Sequence, residues 1–212
     1  FTASAGTHLY ESGSNPQIQV GMGLYGALIV DPTTPGQAFN DANPAYSYDE
    51  DAALVLSEID PNLNANPAGF DLLDYSPTYW LINGKAYPDT DNIVAAPGAR
   101  VRLRYLNAGF LQQVMSSLGA YQTLVGVDSF KVAHPNEVVA QTIPAGQTAD
   151  LLISATTDGS NIALFNRNLR LTNGLPGAGH TAPDGGGGMM TFIEPTGAAG
   201  PSPLDFNGYL SL

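Results

Sequence analysis

Turn-forming residues cut this sequence into short apolar runs, and that interruption limits what it can fold into more than any other feature. Gly and Pro, 24 and 16 of them in 212 residues, are spread along the chain and not gathered in one tract. Between them lie Ala52–Ile59, Tyr79–Ile82 (followed by the turn pair Asn83-Gly84), Tyr121–Val127, Val138–Thr142, Leu151–Ile153, Ile162–Phe165 and Met189–Ile193. An earlier run, Val20–Val30, contains GLYGALIV and stops at Asp31-Pro32. Such runs, spaced roughly 8–12 residues apart with turn chemistry between them, are the pattern of an antiparallel sandwich or barrel. Arg100 to Leu106 alternates charged and apolar residues, which predicts a half-buried strand with one charged face. Helical periodicity of any length is missing; the best stretch, Phe110–Leu118, is too short. The fold class is all-β.

One segment differs in character. Asp31–Asp51 is rich in Pro, Thr, Asn, Asp and Ala and has no apolar period, so it reads as a linker. The expected organisation is a short β segment over 1–32, a linker over 33–51, a main domain over 52–195 and a tail over 196–212. About thirty residues cannot close a sandwich, so the first segment should expose strand edges until something completes it. Both ends read as parts of something larger.

Composition removes several function classes. The formal net charge is −12 with only 7 Lys plus Arg, a surface that repels phosphate backbones and anionic lipid. Nucleic acid and membranes are therefore not expected partners. The absence of cysteine eliminates disulfides, thiolate nucleophiles, iron–sulfur ligands and any blue copper site built by this chain alone.

Three stretches carry a family resemblance. Gly6–Gly13 (GTHLYESG), followed by Gln19 and Gly23–Pro32 (GLYGALIVDP), resembles the end of the first cupredoxin domain of multicopper oxidases. There a strand written G-T-x-x-Y-H-S-H leads through a Gln-containing loop into G-L-x-G-x-x-I-V. Leu81–Thr90 with Val101–Gly109 looks like the opening of the second cupredoxin domain. Ile143–Ala155, Ala163–Asn173 and Gly185–Pro195 resemble its closing strands. The resemblance implies a cupredoxin-like Greek-key sandwich preceded by an incomplete piece of another. It also implies a secreted protein, extracellular or periplasmic, in which copper-dependent substrate oxidation is coupled to O₂ reduction.

The departures from that pattern concern the metal. The two histidines of the family's H-S-H motif bind copper, and here those positions are Glu11 and Gly13. Gly offers no side chain, and a carboxylate is a poor replacement for imidazole at copper. No catalytic, cofactor-binding or metal-ligating residue is therefore expected in this chain. Copper, if the full-length protein is an active oxidase, would be held by residues elsewhere.

Other candidates have plainer readings. His8 and Glu11 point to opposite faces of one strand. His134 lies in a turn-like Ala-His-Pro-Asn, flanked by Asp128 and Glu137 with nothing to bring the three together, and His180 lies in a Gly-rich loop. Asp60, Asn62, Asn64, Asn66 and Asp71 imitate the oxygen spacing of a calcium loop, but Ala65 stands where Gly is needed and Pro61 and Pro67 constrain the backbone. That stretch reads as an Asn/Asp-rich surface loop. Strand alternation predicts one of Met189 and Met190 buried and the other exposed. There is no G-x-S-x-G elbow and no phosphate loop. Two accounts remain: a non-catalytic part of a multicopper oxidase, or a structural sandwich that has lost copper chemistry and is completed by a neighbouring chain.

Overall fold

The computed structural model describes residues 3–170, 172–174 and 187–197. The described strands run in chain order β1 (Gly6–Glu11), β2 (Tyr25–Val30), β3 (Glu50–Ile59), β4 (Tyr79–Ile82), β5 (Lys85–Ala86), β6 (Ile93–Ala95) and β7 (Arg100–Asn107). They continue with β8 (Gln113–Leu118), β9 (Gln122–Val127), β10 (Phe130–Val138), β11 (Ala140–Ile143), β12 (Thr148–Ser154), β13 (Ile162–Asn166) and β14 (Met190–Pro195). Two short helices, α1 (Pro16–Gln19) and α2 (Pro61–Ala65), interrupt them. Among the described residues no helix is long and apolar enough to cross a membrane.

Two sheets face each other. One has the order β10-β9-β12-β7-β3-β4-β5 and the other β11-β8-β13-β14-β6. Most neighbours are antiparallel; β3 with β7 and β14 with β6 are parallel. Between the sheets lies a core that includes Leu56, Trp80, Leu103, Tyr105, Met115, Leu151, Leu164 and Ile193. Strands β1 and β2 form a separate two-stranded sheet, Gly6 opposite Val30 and Glu11 opposite Tyr25, lying against β7 and β12. The turn pairs behave as their chemistry requires. Asn83 and Gly84 take φ of 53° and 77°, closing the two-residue hairpin between β4 and β5. The Asn83 amide also accepts from Val55 N at 2.8 Å and donates to Ala53 O at 3.0 Å.

Three expectations need correction. The first concerns β7, which is buried on both faces: Arg102 and Arg104 are 0% and 1% exposed. Alternation identified the charged face correctly, but that face is covered by the β1–β2 hairpin and by the segment before β3. The second concerns that segment. Within 33–51, Ala38, Phe39 and Tyr46 are buried against Val125 and Leu152, with the Phe39 and Tyr46 rings edge-to-face at 5.9 Å. Phe39 comes from a bend and Tyr46 from a single 3-10 turn, Pro44–Tyr46, so no period announces a chain that nevertheless packs. The third concerns Met189 and Met190, which are both buried, at 2% and 7%. Met189 enters the inter-sheet core, while Met190 joins a second cluster with Tyr87, Ala163 and Phe192. Alternation assumes one wet face, and this strand has none.

Candidate functional site

The end of β1 is where the sequence resemblance locates metal ligands. Glu11 is the last residue of the strand and is exposed; Gly13, beyond it, is exposed too. Between them Ser12 N donates to Leu24 O at 3.0 Å, and the Ser12 hydroxyl bonds the Gln19 side-chain oxygen. Gln19 also accepts from Asn15 N at 3.1 Å. A glutamine in this loop is thus explained by closure of the connection from β1 to β2, without reference to any ligand.

His8 belongs to the opposite face of β1. Its Nε2 lies 2.8 Å from Ser4 O and its Nδ1 3.1 Å from Ser129 Oγ. Ser129 in turn donates to Thr7 O at 2.5 Å. Asp128 and Ser129, with φ of 48° and 65°, form the tight turn from β9 to β10. The structure keeps His8, His134 and Glu11 apart. His134 is exposed on β10, near a shift of register between Lys131 and Asn136, and so lies in a bulged edge strand instead of a turn. Asp128 accepts from Thr148 N and Gln147 Nε2, both at 2.8 Å, whereas Glu137 is exposed opposite Thr123. His180 lies outside the described residues.

The calcium-like stretch resolves into helix caps. Asp60 Oδ1 accepts from Asn62 N at 2.8 Å, capping α2, and Asp60 Oδ2 accepts from Ser76 N at 2.7 Å. Both carboxylate oxygens are engaged, and the residue is 1% exposed, so it is no surface loop position. Asp71 accepts from Leu73 N at 3.0 Å in the same manner. Among the described residues no three His, Cys, Asp or Glu side chains gather in a way that could hold a metal ion.

Sequence reasoning missed two polar clusters. The larger joins the hairpin to the main sheet. Arg102 Nη2 donates to Asp150 Oδ2 at 3.1 Å, with the pair 0% and 1% exposed, and the guanidinium lies 5.7 and 5.6 Å from the Phe39 and Tyr48 ring centroids. Thr7 donates to Asp150 Oδ1 at 2.6 Å and accepts from Arg104 Nη1 at 3.2 Å. Arg104 also binds Asp51 at 2.5 Å and Asp31 at 3.2 Å. Burial alone would lower the Arg104 pKa, but the bond to Asp51 and the charges of Asp51 and Asp150 outweigh it and raise it. The signal was present as the R-x-R-x-R alternation. Its acidic partners come from β3, β12 and the residue after β2; the register sets Asp150 opposite Arg104 and Asp51 opposite Arg102, and the ion pairs cross diagonally to Arg102–Asp150 and Arg104–Asp51.

The smaller cluster surrounds Glu58, 4% exposed on β3. Its carboxylate accepts from Phe110 N at 2.6 Å, Leu111 N at 2.9 Å and Gln113 Nε2 at 2.9 Å, with Tyr75 OH at 3.4 Å. Burial raises the Glu58 pKa, opposed by the hydrogen bonds it accepts. Burial and the nearby Glu58 charge push the Tyr75 phenol upward. A β-carbon at Gly109 would overlap Glu58 Oε2, which is why that position has none. Three of the donors around Glu58, from Phe110, Leu111 and Gln113, hold the chain that leads into β8, and the arrangement is one of support.

No family model matches the sequence, and no curated protein matches it. Solved structures do. The chain is similar to a blue copper oxidase from Nitrosomonas europaea, at 24% identity over 91% of this chain and 57% of that one, with a TM-score of 0.77. It is similar to the multicopper oxidase mgLAC at 22% identity, covering 94% of this chain and 59% of that one, TM-score 0.78. A copper nitrite reductase from Nitrosomonas europaea follows at 22%, 93% and 65%, TM-score 0.70. At these identities the likeness is one of fold: the chain has the cupredoxin-like sandwich of the multicopper oxidases. It spans less than two thirds of the length of each of the three.

Proposed function

We propose that this chain is a non-catalytic cupredoxin portion of a multicopper oxidase-like, secreted protein, with copper held by residues outside it. On this reading 1–32 ends one cupredoxin domain and 52–195 is the next. The observation that carries it is the end of β1, where the resemblance expects imidazoles and the chain presents an exposed carboxylate at Glu11 and bare backbone at Gly13. That donor set does not suit copper, which favours imidazole and thiolate. His8, the nearest histidine, faces away and is engaged with Ser4 and Ser129. No step of copper chemistry is assigned to any residue here.

The hairpin supports the view that something else completes this unit. Tyr25–Val30 is apolar throughout, as in a strand buried on both faces, yet Leu28, Ile29 and Val30 are only half-buried and Ala27 is exposed. The same observation favours a second reading, in which a neighbouring chain covers the hairpin of a purely structural subunit.

Metal analysis of the purified chain after copper loading and dialysis tests the first point. Less than about 0.1 copper per chain is expected, since each missing ligand removes a large share of the affinity; stoichiometric copper would refute the reading. Intact mass of the native polypeptide under denaturing conditions separates the two accounts. A mass well above 22.1 kDa supports the oxidase portion, and a mass of 22.1 kDa supports the partner-completed subunit.

A further inference from the structure

We propose that a groove around Tyr121 binds a neutral oligosaccharide. Tyr121 stands where the chain leaves β8 in one sheet and enters β9 in the other, and it is 64% exposed. Two clefts meet at it. One, of about 310 Å³, reaches Ser117 and Val139; the other, of about 370 Å³, reaches Thr123, Glu137 and Ser154. Both are lined by Ala120 and Tyr121, so the groove passes the tyrosine on either side.

The second cleft follows from how the outer face of the seven-stranded sheet is covered. Phe39 and Tyr46 pack over Val125 and Leu152, and that cover stops there. Beyond it Thr123 stands opposite Glu137 across β9 and β10, and Ser154 ends β12 opposite Arg100. No hydrogen bond or ion pair within the described residues engages the side chains of Thr123, Glu137 or Ser154. Ser117 donates to Ala120 O at 2.7 Å, which leaves its lone pairs available.

Three features select the ligand class. A pyranose has an apolar C–H face and a rim of hydroxyls, which suits an exposed aromatic ring flanked by unpaired hydroxyl and carboxylate groups. The clefts fall at the small end of ligand sites, roughly 300–1,000 Å³, and share one ring between them, which suits a chain molecule long enough to span both. The net charge of −12 opposes polyanions, so acidic saccharides are excluded. An apolar small molecule would leave the polar lining of the second cleft, Thr123, Glu137 and Ser154, without partners.

The test is titration of the protein with cellohexaose, xylohexaose, maltohexaose and chitohexaose, using calorimetry for affinity and saturation-transfer NMR for contact. At least one is expected to bind with a Kd on the order of 0.1–1 mM, and Tyr121→Ala should weaken it about tenfold or more while leaving the thermal midpoint unchanged. Tyr121→Phe, which keeps the ring, should stay within about threefold of the parent. Thr123→Val with Glu137→Gln should weaken binding through the second cleft, an independent check that leaves Tyr121 intact. Failure of all four saccharides to bind, or binding that survives Tyr121→Ala unchanged, overturns the proposal. So does capture of a protein through Tyr121 with no saccharide affinity. Copper content plays no part in any of these outcomes.

Discussion

Thr7 in β1 donates its hydroxyl to Asp150 in β12 at 2.6 Å, a buried bond between residues 143 positions apart. The Thr7 backbone takes part as well, its carbonyl accepting from Thr148 Oγ1 at 2.9 Å and from Ser129 at 2.5 Å. One residue therefore fastens the N-terminal hairpin to the sandwich through both its side chain and its main chain.

Thr7→Val keeps the shape and deletes the hydroxyl, so Asp150 and Arg104 each lose a partner. Hydrogen bonds to charged groups contribute about 1.5–3 kcal/mol, and a loss of that size is expected in urea unfolding. Thr7→Ser should stay within about 1 kcal/mol of the parent, since the hydroxyl remains. Hydrogen exchange at the β1 amides should accelerate in the valine variant more than exchange in β7. Equal effects in both strands would contradict the fastening role.

Arg102 and Asp150 form a fully buried ion pair, in which Arg102 Nε and Nη1 have no hydrogen-bond partner. Such a pair is poor evidence of net stabilisation, but breaking it strands a charge. Arg102→Met is expected to cost about 3–5 kcal/mol. Arg102→Met combined with Asp150→Asn should recover at least about 1 kcal/mol, because a neutral amide still accepts from Thr7 and the stranded carboxylate charge is gone, while Arg104 keeps Asp51 and Asp31. A double variant no more stable than Arg102→Met would show that packing on Phe39 and Tyr48, and not charge, sets the cost.

Glu58 gives the fold a pH dependence of definite sign. Burial raises its pKa from the ordinary 4.5, so the folded chain holds the proton more tightly than the unfolded chain. The stabilisation from this group is complete below 4.5 and is lost as pH rises through the folded value. Unfolding measured from pH 4 to 8 should show the parent losing stability relative to Glu58→Gln above about pH 4.5, then levelling. A difference that grew in favour of the parent would reverse the sign and show that the hydrogen bonds from Phe110, Leu111 and Gln113 dominate burial.

Much of the sandwich was legible. Tyr79–Ile82 is a strand with those bounds, and the runs at 52–59, 100–106, 151–153 and 162–165 lie within β3, β7, β12 and β13. Asn83-Gly84 marks its hairpin because the type I′ turn it forms needs two positive φ values. These signals are local, and period 2 reports them directly. Strands β5 and β6 passed unnoticed because two or three residues are too few to show a period. At the candidate site, the opposite facing of His8 and Glu11 followed from alternation, and the lack of cysteine from composition alone.

What the sequence determined by itself was the all-β class, the charged face of β7, the acidic surface and the identity of the residues at positions 11 and 13. Each depends on residue type or on a spacing within a few positions. Tertiary structure alone decided that the β7 arginines are buried, that the presumed linker packs its aromatic residues over them, and that both Met189 and Met190 are enclosed. It also paired Thr7 with Asp150 and left the Tyr121 groove open. The physical reason is the same throughout: alternation states which face of a strand a side chain occupies, while what covers that face comes from chain tens of residues away, brought there by sheet register and packing.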